Sequence, residues 1–563
     1  MISQKKQIQQ LSGLLIAKGI RQVIISPGSR NGPMIHTFYG NKKFLCRVIT
    51  DERSAAYFAM GIAQQTGEPV VLTCSSGTAT LNYAPAVAEA FYQNVPLIVL
   101  TGDRPQYWIG QLENQCIPQN DIYRNFVKKE ISLPVGESEN ELWSAGRDIN
   151  ECLNLSVSGI PAPVHINIPF EEPLHEFINE ELPKVKVIEE SSVSMRLESE
   201  SLQELKNLYN KSDKILILTG QQSPDSKLES ILRKLSEKTG AIVLKEHLAN
   251  INGPYFCSSI DNIMSSFTEQ DKKFCPDLLI TCGRQIVSKT LKQFLRKNPP
   301  AEHWHLNLSG AHNDTYKCLT RVIRMKSSEF FNQIIPYVDS KDKVYFNSWK
   351  DREQKVNRSR DYFIKNIPFC DLKVYDIIRQ YIPEQSVIHL GNSSPVRYSL
   401  ICDPVKKALY YSNRGTSGID GCMSTAAGYA SSSDLINTLI IGDLSFFYDS
   451  NALWNKYIGK NLRIILIHNG GGNIFGLIKG PSLSPAFEDC FFTDNEKNAS
   501  GIAKTFDLDY LQAKDENSLK ESMQVLYNKG RSRPAILEIF TNADVNYLYY
   551  RKLFEQIKNK KYE

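Results

Sequence analysis

Short, wholly apolar runs recur along this chain, and each closes on a loop rich in Gly, Ser, Pro or Asn. Gln22–Ser26 (QVIIS) reads as a buried strand, with SPGSRNGP as the loop after it. Phe44–Thr50 reads as a second strand, followed at once by the helix DERSAAYFAMGIAQQTG, which Gly67 stops. Val70–Thr73, the loop CSSGTA, a helix to Gln93 and the run PLIVLTGDRP repeat the unit. Apolar strands alternating with helices predict a parallel sheet covered on both faces, with ligand loops at the strands' C-terminal ends.

From about Val187 to Leu205 the chain turns polar and Ser/Glu-rich (EESSVSMRLESESL), as a linker does. KILILTG, AIVLKEH, DLLITCG and HWHLNLSG then form a second α/β region, and the charged stretch DSKDKVYFNSWKDREQKVNRSRD marks its end. SVIHLG, ALYYSN, TLIIGD, LRIILIHN and AILEIF follow, again strands feeding loops and helices. The fold class expected is α/β, as three α/β domains with parallel sheets over 1–182, 183–345 and 346–563. The first and third share a pattern but no sequence repeat.

The length of 563 residues suits this division, and 42% hydrophobic residues allow large cores without staples. Lys and Arg exceed Asp and Glu by only five, with no long basic run before KNKK near the C-terminus, which argues against nucleic acid as a partner. The 12 cysteines lie singly, with no CxxC pair, so clustered zinc or iron–sulfur ligation is not expected. Scattered thiols, an N-terminus without a cleavable apolar core, and the absence of a bilayer-length apolar run point to a soluble cytoplasmic protein. His303 and His305 share a strand face but lack a third ligand, and His468 has no evident role.

The chemistry concentrates in the last third. TLIIG ends at Gly442-Asp443, a helix is expected from Ser445 to about Lys456, and LRIILI ends at His468-Asn469-Gly470-Gly471-Gly472. Asp443 and Asn469 are 26 positions apart, about one strand–helix–strand crossover, so both oxygens reach one sheet edge. Mg²⁺ takes one or two such oxygens together with phosphates, and a bare Gly backbone lets a diphosphate approach.

This arrangement resembles the cofactor motif of thiamine-diphosphate enzymes, a GD followed within thirty residues by N. The resemblance implies a pyrimidine-binding, a central and a diphosphate-binding domain. It implies Mg²⁺ (or Mn²⁺) on Asp443, Asn469 and the Gly471 carbonyl, and cofactor contacts from Gly442, Leu444 and Ser445. Gly391-Asn392-Ser393 and Ser417-Gly418-Ile419 would supply further contacts, with Ile419, Ile474 and Phe475 as an apolar wall. Glu52, at the end of the second strand, would face the pyrimidine N1′ and favour the imino tautomer that deprotonates C2; desolvation suits a glutamate to this.

SPGSR, DERSA, SSGTA, TGDRP and YSNRGTSGIDG occur in the order of one branch, the 2-succinyl-5-enolpyruvyl-6-hydroxy-3-cyclohexene-1-carboxylate synthases of menaquinone biosynthesis. That family condenses 2-oxoglutarate with isochorismate and releases CO₂. Both substrates are dianions, and arginine grips carboxylates bidentately. By resemblance Ser393, Arg397 and Arg414 face 2-oxoglutarate, while Ser29, Arg30, Arg104, Asn114, Gln115 and Lys289 face isochorismate. Thr290 stands where the family often has Arg, and Gly470 replaces an amide or acid. The family's site lies between two chains, so a homodimer or homotetramer is implied. Two readings stay open beside this one: a plain 2-oxo acid decarboxylase or acetolactate-type synthase, and a non-catalytic nucleotide-binding α/β protein.

Overall fold

The computed structural model describes residues 1–191, 193–478 and 480–560. Its strands form three parallel sheets of six strands each and one antiparallel pair, Ile2–Ser3 with Phe177–Ile178. Across the first the order is Leu45–Val48, Gln22–Ile25, Val70–Cys74, Leu97–Asp103, Val164–Pro169, Glu130–Ser132. Across the third it is Leu409–Tyr411, Val387–Leu390, Asn437–Gly442, Leu462–His468, Ala535–Phe540, Asp509–Ala513. Counted by appearance within its own sheet, each runs 2-1-3-4-6-5, so the likeness seen in pattern is a likeness of topology. The central sheet, from Ile215 to Ile323, runs 3-2-1-4-5-6. In the outer sheets the order reverses between the first and third strands, and there loops diverge to leave a crevice.

Local sequence explains most boundaries. The helix Glu52–Thr66 starts where the Asp51 carboxylate accepts the Ser54 N–H at 2.9 Å, and it ends at Gly67, left-handed at φ 71°. The helix expected to reach Lys456 is shorter. It spans Asp443–Tyr448, because buried Asp449 turns inward to accept the Ser424 N–H (2.7 Å) and hydroxyl (2.6 Å). A 3₁₀ turn, Ser450–Leu453, follows. The charged stretch at the second expected boundary lies, from Val344 on, in a single helix, Val344–Lys365. Its buried Tyr345, Phe346, Trp349, Val356 and Ile364 recur at helical spacing, and Trp349 packs edge-on against Phe274 of the central domain at 5.2 Å. The first part of the polar linker lies along the first domain, where Asn150 Oδ1 accepts the Ile188 N–H at 2.8 Å.

Two contacts, among several, bring the first domain onto the third. A Cβ on Gly61 would lie 2.0 Å from the Thr425 carbonyl, and one on Gly428 2.0 Å from that of Phe58, so the helices Glu52–Thr66 and Cys422–Ala430 meet backbone to backbone. The second contact is polar. Fully buried Glu89 accepts the Gly415 N–H (2.7 Å), the Thr416 N–H and hydroxyl (both 2.6 Å) and the Gln93 amide (2.6 Å). One carboxylate thereby fixes the loop that carries Arg414 and Ser417. Among the described residues no helix is long and apolar enough to cross a membrane.

Candidate active site

Parallel register between Asn437–Gly442 and Leu462–His468 sets Gly442 beside Ile467, so Asp443 and Asn469 emerge together at the C-terminal edge. Asp443 is buried, accepting the Leu444 N–H at 2.8 Å and the Gly470 N–H at 3.0 Å. Burial pushes its carboxyl up to about 6, a cost that a bound cation would reverse. Gly470 and Gly471 adopt φ of 90° and 146°, and a Cβ on Gly471 would lie 2.5 Å from the Phe492 carbonyl. Only glycine fits there. The Gly471 carbonyl accepts the Asn473 N–H at 2.8 Å, while the buried Asn473 side chain leaves both amide atoms without a partner. A carboxylate, an amide and unengaged buried polar atoms around a bare backbone suit a hydrated divalent cation and a diphosphate.

On the other side of Asn437–Gly442, the Gly391 N–H donates to the Ile440 carbonyl at 2.8 Å. Ser393 is held at φ 73° and Ser417 at φ 65°, backbone strain of the kind found at ligand loops. The Asn392 amide is spent internally, donating to the carbonyls of Asn413 and Gly418 (both 2.6 Å) and accepting from Arg414 at 2.9 Å. Ser445 is likewise engaged, its hydroxyl on the Ile419 carbonyl at 2.8 Å. These two side chains shape the loops that carry them. Half-buried Phe475 leans on Phe491 at 5.6 Å.

The arginines fall into two groups. Arg397 donates to the Ser393 carbonyl at 2.6 Å, and it shares an electrostatic neighbourhood with Arg414 and half-buried Lys292. Burial lowers the pKa of all three; neighbouring cations lower Lys292 and Arg414 further, while Glu246, beside both, partly offsets this. Such crowding favours an anion between them. Arg30 and Arg104 form the second group, at the first sheet's edge. Buried Arg30 reaches the Phe170 carbonyl (3.2 Å) and Glu172 (3.1 Å); Arg104 reaches the Asn114 carbonyl (3.0 Å) and Glu113 (3.2 Å). Ser29, Asn114, Gln115 and Lys289 are exposed. Glu52 is half-buried near Cys74 and Tyr83, whose pKa values it helps to raise after burial. Its flanking residues Asp51 and Arg53 meet the Asn451 amide and the Tyr448 carbonyl of the third domain, while Asp443 faces His468 and Asp371.

The family model described as "Thiamine pyrophosphate enzyme, N-terminal TPP binding domain" matches residues 6–126, which include Arg30, Glu52 and Arg104. A 2-succinyl-5-enolpyruvyl-6-hydroxy-3-cyclohexene-1-carboxylate synthase of Bacteroides thetaiotaomicron is 38% identical over 568 aligned positions, covering 100% of both chains. The chain belongs to this synthase family. Synthases of the same name from Phocaeicola vulgatus (39% identical, 100% of both chains) and Flavobacterium johnsoniae (39%, 98% of both) agree.

Within this synthase, position 290 has a structural explanation. The Thr290 and Ser288 hydroxyls both donate to Asp261, while Glu246 accepts the Val287 and Ser288 N–H groups at 2.8 and 2.7 Å. Together they build the start of the helix Lys289–Lys297, which carries Lys292 one turn in. We expect Thr290→Arg to pair its guanidinium with Asp261 and change neither substrate's KM more than about twofold. Steady-state kinetics would check this, and a large rise in the isochorismate KM with folding intact would show the region is packed otherwise.

Sequence reasoning missed Glu89, Glu246 and Asp371, buried carboxyls that no motif marks. Burial pushes Glu246 up to about 7 and Asp371 up to about 6. It also gave His468 no role. Buried His468 bridges Glu538 (2.7 Å) and the Asn495 carbonyl (2.9 Å), and although burial opposes its charge, these partners raise its pKa. His303, without His305, groups with Cys318, whose Sγ lies 3.6 Å from its Nδ1, and with Asp314, their ligating atoms within 4.8 Å of one another in the central domain.

Proposed function

We propose that this chain decarboxylates 2-oxoglutarate and adds the remaining four-carbon fragment to isochorismate, giving 2-succinyl-5-enolpyruvyl-6-hydroxy-3-cyclohexene-1-carboxylate and CO₂ in menaquinone biosynthesis. The observation that carries the substrate assignment is the crowding of Arg397, Arg414 and Lys292 beside the Ser393 loop. A pocket for a monoanion such as pyruvate has no use for three cations, whereas a 2-oxo dicarboxylate does.

In this reading Asp443, Asn469 and the Gly471 carbonyl hold Mg²⁺ or Mn²⁺, and the loops at 391–393, 417–419 and 442–445 hold thiamine diphosphate. When bound, that cofactor supplies a nucleophilic carbon and an electron sink for loss of CO₂ from a 2-oxo acid. Glu52 holds a proton at the pyrimidine N1′. Arg397 and Arg414 bind the distal carboxylate of 2-oxoglutarate and turn its oxo carbon inward. Arg30, Arg104, Asn114, Gln115 and Lys289 orient isochorismate, and Ile419, Ile474 and Phe475 exclude water from the reacting carbon. The chain divides at 182 and 345, works in the cytoplasm, and assembles as a homodimer or homotetramer that joins the first domain of one copy to the third of another.

Arg397→Ala should lower kcat/KM for 2-oxoglutarate roughly thirty- to more than hundredfold, the worth of a charge-assisted pair at about 2–3 kcal/mol. Isochorismate binding should change far less, and equal damage to both would make the residue structural. The assignment itself is tested by ¹⁴CO₂ release from labelled 2-oxoglutarate and pyruvate without a second substrate. Preference for 2-oxoglutarate supports it; equal or better turnover of pyruvate points to a plain 2-oxo acid decarboxylase.

A further inference from the structure

The metal-loop amide could face either way, and a hydrogen-bond chain running back to a backbone N–H decides which. The Asp371 N–H can only donate, and it donates to Asn546 Oδ1 at 2.7 Å. Asn546 must then present its Nδ2, which reaches Thr541 Oγ1 at 3.2 Å. With that oxygen accepting, the Thr541 hydroxyl proton is directed to Asp371 Oδ1 at 2.6 Å. The other carboxylate oxygen, Oδ2, accepts from Asn469 Nδ2 at 2.8 Å. With Asp371 ionised, every donor and acceptor in this chain is fixed by its predecessor, and the last consequence is that Asn469 turns its amide nitrogen inward and its carbonyl oxygen away. Asp371 is fully buried at the first turn of the helix Asp371–Tyr381 and makes no ion pair among the described residues. A buried carboxylate without a cationic partner is costly and calls for a reason.

We propose that Asp371 is a positioning residue for the divalent cation: it locks the Asn469 amide so that oxygen, never nitrogen, faces the ion. The inference rests on the reading that Asp443 and Asn469 hold the cation. It goes further in naming a residue 98 positions from Asn469 in sequence, brought to it by the fold. Partners that orient a metal ligand typically change affinity ten- to a hundredfold when removed.

The chemistry predicts a specific rescue. In Asp371→Asn the new amide oxygen still accepts from Thr541, so its NH₂ meets the NH₂ of Asn469. Asn469 must flip, turning a donor towards the cation. In the exchanged pair D371N/N469D, the new amide again bonds Thr541 through its oxygen and donates to the new carboxylate. The second oxygen of that carboxylate stays free for the ion.

The test measures the Mg²⁺ concentration that half-saturates thiamine diphosphate binding, by titration calorimetry, with the melting temperature of each unliganded variant alongside. D371N should raise that concentration at least tenfold while melting within a few degrees of wild type, and D371N/N469D should recover most of the loss. Asp443→Ala serves as the control. If it abolishes Mg²⁺-dependent binding while D371N binds as wild type, the positioning role falls and the metal site stands. If Asp443→Ala has no effect, the metal reading falls first. Should D371N fail to fold, the exchanged pair decides: folding and binding Mg²⁺ sustains the proposal, and failing to bind overturns it.

Discussion

Asp443→Ala is expected to weaken Mg²⁺-dependent binding of thiamine diphosphate by at least a hundredfold, about 2.7 kcal/mol. Asp443 is the charged member of the proposed ligand set, and a cation bridging a diphosphate cannot replace it with the neutral Asn469 amide or a carbonyl. Truncation should leave the fold intact. The Asp443 carboxyl is held with a raised pKa by burial, so its ionised form is a burden to the unliganded chain and not a support. Calorimetric titration with thiamine diphosphate at fixed Mg²⁺ reads the effect, and unchanged affinity would place the metal elsewhere.

Glu52→Gln should bind the cofactor yet slow hydrogen–deuterium exchange at its C2 carbon by roughly a hundred- to ten-thousandfold. The amide is nearly isosteric and cannot share a proton with N1′. A competing view makes Glu52 a first-turn acid that merely complements its helix, where Asp51 already caps Ser54. That view predicts a slightly lower melting temperature and unaltered exchange. NMR of quenched cofactor separates the two outcomes.

Most strands of the three sheets were readable because a parallel sheet covered on both faces needs continuous apolar runs, as in Leu462–His468, where every position is buried; Val164–Pro169, buried except at its last residue, was not among them. The half-exposed edge strands Glu130–Ser132 and Asp509–Ala513 lack that signal. Asp443 and Asn469 were legible together because one crossover fixes their separation. The same argument cannot reach Glu89 and the loop at Gly415 and Thr416, or Asp371 and Asn469. These pairs are joined by packing between remote segments, and a lone Asp or Glu in a helix pattern looks like any solvated acid. Lys292 belongs to no motif, and its neighbourhood with Arg397 and Arg414 follows from the turn that Asp261 and Glu246 build.

The protein mixed with Mg²⁺, thiamine diphosphate, 2-oxoglutarate and isochorismate should consume isochorismate, followed by its absorbance, with one CO₂ released per molecule lost. Omitting 2-oxoglutarate or the cofactor should stop it. Persistence of isochorismate while 2-oxoglutarate is decarboxylated, or no turnover by a folded, cofactor-loaded protein, would contradict the account.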